Sequence, residues 1–307
     1  MSDTSTSGPN SSHCAVVALV GAPNAGKSTL LNRAVGSKVS IVTHKVQTTR
    51  TRVRGIALRD SAQLIFVDTP GIFAPKDRLQ RAMVAAAWNA VQDADLVVYL
   101  FDAQRQAPDA AAEEILRGLG TRARRRVLAL NKVDAVPRES LLTLSATLND
   151  LAAFERTFMI SALDGDGVED LLDWLAAEAP QGPWLYPEDQ VSDLPLRLLA
   201  AEVTREKLFL NLHQELPYAL TVETEAWEEF KDGSVKIDQT VYLQRETQKR
   251  IAIGAGGRTI RKVREQAQAE LQRQLERPVH LYLFVKVRER WIDDPDRYRD
   301  WGLDWQA

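Results

Sequence analysis

Cysteine occurs once in the 307 residues, as Cys14, so no intramolecular disulfide can form and a reducing compartment fits. The four histidines are scattered, without the spacing of a metal site. No apolar run approaches the length that crosses a bilayer. Met1 to His13 lacks the basic start and apolar core of a signal peptide. Rich in Ser, Thr, Gly and Pro, it reads as a disordered tail, and the chain as cytosolic with peripheral membrane contact still allowed. A basic excess is missing too. The net charge is −3, so any nucleic-acid surface must be a local patch. What is present is ordinary for a soluble protein of about two domains: 45% hydrophobic and 26% charged residues.

The strongest local signal is Gly21-Ala22-Pro23-Asn24-Ala25-Gly26-Lys27-Ser28. An apolar run, Ala15 to Val20, precedes it, and the helix-forming Thr29 to Ala34 follows. Strand, glycine loop and helix form the context in which G-x-x-x-x-G-K-[ST] cradles phosphate. Gly21 and Gly26 let consecutive backbone N–H groups turn inward, and the helix adds its positive end. Lys27 is placed to reach the β- and γ-phosphates, and Ser28 to sit on Mg²⁺.

Ser37 to Arg54 is polar and contains Gln47-Thr48-Thr49-Arg50. A threonine-bearing loop here can sense nucleotide by giving Mg²⁺ a ligand only when the γ-phosphate is present. Val53–Leu58 and Gln63–Val67 read as a hairpin, the second strand ending in Asp68-Thr69-Pro70-Gly71. Asp68 can hold the Mg²⁺ shell, and the Gly71 N–H can meet the γ-phosphate. Helical patterning over Leu79–Val91, a strand over Asp95–Phe101, a helix over Ala107–Leu119 and a strand over Val127–Leu130 follow. Arg124-Arg125-Arg126 reads as a solvated strand entry.

Asn131-Lys132-Val133-Asp134 specifies the base. A carboxylate accepts two hydrogen bonds from the N1–H and N2–H₂ edge of guanine, and adenine offers no such pair. Lys132 covers the base plane and Asn131 ties the loops together. After the strand Thr157–Ile160, the small Ser161 and Ala162 let a backbone N–H approach the base oxygen. A closing helix spans Val168–Glu178. Strands alternating with helices predict a mainly parallel sheet covered on both faces, with ligand beyond the carboxyl ends of the strands.

Ala179-Pro180-Gln181-Gly182-Pro183 cannot continue a helix and opens a linker over 179–195 whose aromatic residues suggest docking. Beyond it the chain reads as helix, strand, strand, a basic turn-and-helix, and strand. Arg245 to Arg264 holds seven Lys/Arg against one acid, Glu246. Within it Gly254-Ala255-Gly256-Gly257 precedes a helix carrying Arg258, Arg261 and Lys262. A G-x-x-G turn before a basic helix is how a KH domain clamps about four nucleotides of single-stranded RNA. Tyr282 and Phe284 are expected to pack on or edge this sheet. The expected division is a tail over 1–13, a nucleotide domain over 14–178, the linker, an RNA-binding domain over 196–292 and a motif-free tail over 293–307.

Taken together, GAPNAGKSTLLN, VQTTR, DTPGI, NKVD and SALDGDGV in the first half, with REKLF, ELPY, IGAGG and PVHLYLFVKVRERW in the second, resemble the Era family of GTPases from about Val16 to Trp291. The resemblance implies an α/β P-loop NTPase G domain followed by an α+β type II KH domain, acting as a monomer. It also implies GTP hydrolysis to GDP, with the GTP form binding the 3′ end of 16S ribosomal RNA and assisting maturation of the small subunit. Carried over by position, Thr49 is the favoured switch threonine and Asn24 matches a residue that ligates K⁺ in related GTPases. Ile72 stands where Ras-type enzymes place a water-orienting Gln. The clamp departs from many relatives, which carry a basic residue where this chain has Ala255 and Gly256. Two other classes remain beside an enzyme whose slow GTP hydrolysis times release from immature small subunits: a GTP-gated RNA scaffold with incidental hydrolysis, and a membrane-associated cell-cycle switch.

Overall fold

The computed structural model describes residues 12–43, 45, 49–50, 52–213 and 216–307. Most of the expected tail, and the switch positions Gln47 and Thr48, lie outside the described residues. His13, expected within the tail, is instead the first residue of strand β1 (His13–Val20).

In the first half β1 is followed by α1 (Lys27–Val35), the hairpin β2 (Val53–Arg59) and β3 (Ala62–Asp68), and α2 (Arg78–Asp93). Then come β4 (Leu96–Asp102), α3 (Ala110–Arg122), β5 (Arg126–Asn131), α4 (Arg138–Leu151), β6 (Thr157–Ile160) and α5 (Val168–Ala177). The strands form one six-stranded sheet in the order β2-β3-β1-β4-β5-β6, with β2 antiparallel to β3 and the other pairs parallel. Strand periodicity explains the two-faced core. Ala15, Val17 and Leu19 pack under Leu30 of α1 and Leu171 of α5. Ala18 and Val20 face the opposite layer, with Val91 of α2, Ile115 of α3 and Leu144 of α4. The central strands are therefore buried from both sides, as a parallel sheet requires. Helix α4 was not anticipated, although Leu141, Leu144 and Leu148 give it a buried stripe.

Residues 179–195 dock on the edge of that sheet. Gln63, fully buried on β3, accepts from the Leu185 and Tyr186 N–H groups at 2.9 and 3.1 Å. Its own amide donates to the Tyr186 carbonyl at 2.9 Å. Trp184 Nε1 donates to Ser61 O at 3.2 Å, so the aromatic residues of the linker are fixed on the first domain.

The second half contains α6 (Leu196–Asn211), β7 (Leu220–Glu229), β8 (Val235–Leu243), α7 (Glu246–Ile253), α8 (Arg258–Leu275) and β9 (Val279–Val287). Its three-stranded sheet runs β7-β8-β9, antiparallel then parallel. Leu208 of α6 and Val263 of α8 pack over Leu220 and Val241, closing the core on one face of the sheet. Tyr282 and Phe284, on alternate positions of β9, are half exposed.

The C-terminal stretch is more ordered than its sequence suggested. It contains a short helix, α9 (Pro295–Asp300), with Pro at its first position and Asp294 as N-cap. Trp291, Tyr298, Trp301 and Leu303 are buried against Leu79, Ala82, Met83 and Ala86 of α2. The Arg78 guanidinium lies 4.2 Å from the ring centre of Trp305. The end of the chain thus joins the second domain to the first.

Candidate functional site

The loops at the carboxyl ends of the parallel strands surround a cavity of 680 Å³, lined among others by Asn24, Gly26, Lys27, Ser28, Thr29, Thr49, Gly71, Asn131, Lys132, Asp134 and Ala162. Local backbone chemistry explains the loop between β1 and α1. Gly26 sits at φ 101°, and a Cβ there would lie 2.1 Å from Asn131 Nδ2. Only glycine combines that conformation with so close an approach. Asn24, at φ 64°, occupies the left-handed region that asparagine tolerates better than most residues. A Cβ on Gly21 would meet Leu100 O at 2.4 Å, and one on Gly71 would meet Pro23 N at 2.8 Å. The strand end, the phosphate loop and the 68–71 loop are therefore in backbone contact.

Asn131 fastens three loops. Only 2% exposed, it donates from Nδ2 to Ala25 O at 2.7 Å and accepts at Oδ1 from Ala162 N–H at 2.9 Å. The Ser161 N–H donates to Asp166 O at 2.9 Å. Both N–H groups of the Ser161-Ala162 pair thus have partners inside the protein, and Ala162 also lines the cavity where the base oxygen is expected. Lys132 Nζ pairs with Asp102 Oδ2, a carboxylate at the end of β4 that sequence reading passed over. That contact holds the lysine stem along the cavity wall. Asp134 is exposed on the same wall.

At the other end lies a carboxylate with an unusual burden. Asp68, fully buried at the end of β3, accepts at Oδ2 from Ser28 Oγ at 2.6 Å, Ser40 Oγ at 2.8 Å and Thr49 Oγ1 at 3.3 Å. Ser28 and Thr49 oxygens are 3.1 Å apart. Oδ1 of the same carboxylate is buried without a hydrogen-bond partner. Burial pushes the Asp68 carboxyl above its usual range, against the three hydroxyls and nearby Lys27. An orphaned carboxylate oxygen beside two hydroxyls is a donor set of hard oxygens, which suits Mg²⁺. Ser40 was not anticipated as a member of this cluster; in sequence it is one of several polar residues in the 37–54 segment.

Lys27 is buried and donates to Gly21 O and Ala22 O at 3.2 and 3.0 Å. Burial depresses its pKa to about 8, partly offset by Asp68, so an anionic phosphate would restore its full charge. Ile72, 6% exposed, is packed in the core between sheet and α2 and cannot orient water.

The candidate RNA face lies in the other domain. Gly254 (φ 73°), Gly256 (φ 60°) and Gly257 (φ 74°) all take the left-handed conformation and turn the chain from α7 into α8. Arg258, Arg261 and Lys262 are exposed at the first turn and a half of α8, beside exposed Ala255. Arg258 Nε donates to Ala255 O at 3.2 Å. By contrast, Arg125 is bridged to Glu155 and Glu178 and Arg126 donates to Ala153 O at 2.7 Å. Two of the three arginines in that run therefore close the strand entry, and Arg124 is exposed. Among the described residues no cluster of His, Cys, Asp and Glu has the makings of a separate metal site.

A phosphate loop, a threonine from a polar loop and Asp134 around one cavity of a mainly parallel sheet, followed by a G-x-x-G domain, define a P-loop GTPase joined to a KH domain. Residues 16–132 match the family described as 50S ribosome-binding GTPase, and residues 215–292 the KH domain family. The curated GTPase Era of Sinorhizobium medicae is 62% identical over 288 residues, 94% of this chain and 93% of its own length. That of Mesorhizobium japonicum is 59% identical over 304 residues, 99% and 98% of the two chains. A crystal structure of Era in complex with MgGDPNP and nucleotides 1506–1542 of 16S ribosomal RNA superposes with a TM-score of 0.89 at 35% identity, covering 95% of this chain and 99% of that one. An Aquifex aeolicus Era variant bound to GDP·AlF4⁻ gives 0.88 at 35% identity, covering 94% and 99%. The chain belongs to the Era family and is a GTPase.

Asp134→Asn should lower GTP affinity by about 100-fold or more, because an amide cannot accept from both donors of the guanine edge. Titration with a fluorescent GTP analogue checks this; unchanged affinity would take base recognition away from Asp134.

Proposed function

We propose that this chain is a GTP-hydrolysing switch that binds the 3′ end of 16S ribosomal RNA through residues 196–292 and assists assembly of the small ribosomal subunit. The observation that carries the reading is the glycine turn at 254–257 with exposed Arg258, Arg261 and Lys262, in a chain whose solved relative holds that RNA segment. Glycines admit a close backbone, the start of α8 faces phosphate, and the basic side chains neutralise it. The nucleotide domain spans 14–178, with Gly21, Asn24, Ala25, Gly26, Lys27, Ser28 and Thr29 around the phosphates and Asp134 at the base.

Ser28 and Thr49 would hold Mg²⁺, with Asp68 beside them. The solved relative was crystallised with MgGDPNP, and the orphaned Asp68 oxygen fits such an ion. The ion supplies positive charge to the β- and γ-phosphate oxygens as charge shifts during transfer. Lys27 adds its own charge there, and Gly71 brings a backbone N–H near the γ-phosphate. With Ile72 in place of a water-orienting Gln, Asn24 is assigned to a K⁺ ion that takes over part of the charge stabilisation. Among the described residues no helix is long and apolar enough to cross a membrane. The reading is of a cytoplasmic monomer, with peripheral contact at the inner face of the cell membrane as its alternative setting.

Arg258→Glu should weaken binding of a labelled RNA matching the 16S 3′ end by about ten-fold or more, and flatten its salt dependence, while GTP hydrolysis without RNA stays unchanged. Equal RNA affinity would remove the clamp from the account. Separately, K⁺ should accelerate hydrolysis over Na⁺ in the unaltered chain, and Asn24→Ala should abolish the difference. A K⁺ effect surviving in Asn24→Ala would end that assignment.

A further inference from the structure

Thr49 and Arg50 are consecutive, yet their side chains go to different domains. Thr49 joins the Ser28–Asp68 cluster. Arg50, 2% exposed, crosses into the second domain. Its Nη1 donates to Leu220 O at 2.7 Å and its Nη2 to Tyr218 O at 3.3 Å. The guanidinium lies 5.6 Å from the ring centre of Trp291, which is wholly buried. Trp291 Nε1 in turn donates to Ala219 O at 3.1 Å. Three successive carbonyls at the start of β7 are thus taken up by one arginine and one indole.

Pinning Arg50 pins Thr49, because neighbouring Cα atoms are about 3.8 Å apart and only two soft torsions separate the residues. Residues 38, 42 and 45 of the same segment bond to α6 and its C-terminal end. Val42 N–H donates to Glu206 at 3.0 Å and Lys38 bridges the same carboxylate at 2.8 Å. Lys45 Nζ donates to Phe209 O and Leu212 O. Trp291 also packs in the cluster that covers α2, the helix that follows Gly71 and Ile72. Trp291 thus meets Arg50 and shares a core with α2.

We propose that the second domain takes part in GTP hydrolysis by positioning the switch threonine: the carbonyls of Tyr218 and Leu220 and the face of Trp291 hold Arg50, and Arg50 holds Thr49 at the metal site. This rests on the reading of Thr49 as the Mg²⁺-binding switch residue. The contact is also built to release. Among the described residues no carboxylate is hydrogen-bonded to Arg50; its charge rests on carbonyl dipoles and an aromatic face. A buried guanidinium held this way gains hydration when the domains part, which offsets the bonds lost.

Arg50→Met keeps the apolar stem but removes the donors, and Trp291→Leu removes the receiving face from the other domain. In the full-length protein each should lower kcat for GTP hydrolysis about ten-fold and weaken GTP-analogue binding, with GDP affinity kept within about two-fold. The double variant should be no worse than the more severe single one, since both break one link, and Arg50→Lys should restore part of the rate. Equal losses of GDP and GTP-analogue affinity, or additive losses of kcat, would show a merely structural role and overturn the proposal. If Trp291→Leu fails to fold, the contrast between Arg50→Met and Arg50→Lys decides: an equal rate in the two overturns it. Thr49→Ala separates this inference from the reading beneath it. Loss of rate in Thr49→Ala with none in Arg50→Met defeats only the inference; no loss in Thr49→Ala defeats the switch assignment itself.

Discussion

One carboxylate oxygen, Asp68 Oδ2, collects hydroxyls from three separate segments: Ser28 from the start of α1, Ser40 and Thr49 from the two ends of the polar loop. Its other oxygen has no partner. Desolvating a carboxylate is costly unless its oxygens are satisfied, and a cation beside Oδ1 would satisfy this one. The parallel sheet places Asp68 there: β3 pairs with β1 in a register that sets Asp68 beside Leu19, one residue before the end of the strand leading to the phosphate loop. The covered faces of the sheet keep that register fixed. Asn131 does the same service at the base end, spanning from Ala25 to Ala162.

A second constraint joins this cluster to the rest of the molecule. The loop that supplies Thr49 is held on the second domain through backbone carbonyls at 218, 220, 209 and 212. Carbonyl dipoles accept a cation without demanding a particular side chain. The strength of the contact therefore depends on how the domains are placed, and not on one partner residue. The glycine turn before α8 and the loop that carries Thr49 are thus linked through α6, which packs against α8 and bonds to Lys38 and Val42.

Much of this was legible in the sequence, and what was not has a common cause. The phosphate loop, Asp68, Asn131 and the glycine turn at 254–257 announce themselves because backbone geometry or ligand chemistry restricts the residue at each position. Gly26 is an example: both its φ and its closeness to Asn131 forbid a side chain. The polar segment 37–54 read as a nucleotide-sensing loop without a hint of its anchors, because Lys45 and Arg50 bind main-chain carbonyls of the second domain, which leave no trace in side-chain patterns. The C-terminal stretch carried no motif since Tyr298, Trp301 and Leu303 cover α2 in an irregular order that follows neither helical nor strand period. Helix α4 had a readable stripe at Leu141, Leu144 and Leu148 but no side-chain cap at its start, where Pro137 stands. Ser161 and Ala162 show the limit of motif reading: their small size was legible, but the commitment of their N–H groups to Asp166 and Asn131 was not.

The account stands on coupling between the nucleotide and the RNA clamp. The most direct test is the affinity of a labelled RNA matching the 16S 3′ end for the full-length protein loaded with a non-hydrolysable GTP analogue, with GDP, or with no nucleotide. The account predicts tight binding with the analogue and clearly weaker binding in the other two states. Equal affinity in all three would contradict it, leaving an RNA-binding domain beside a GTPase that does not speak to it.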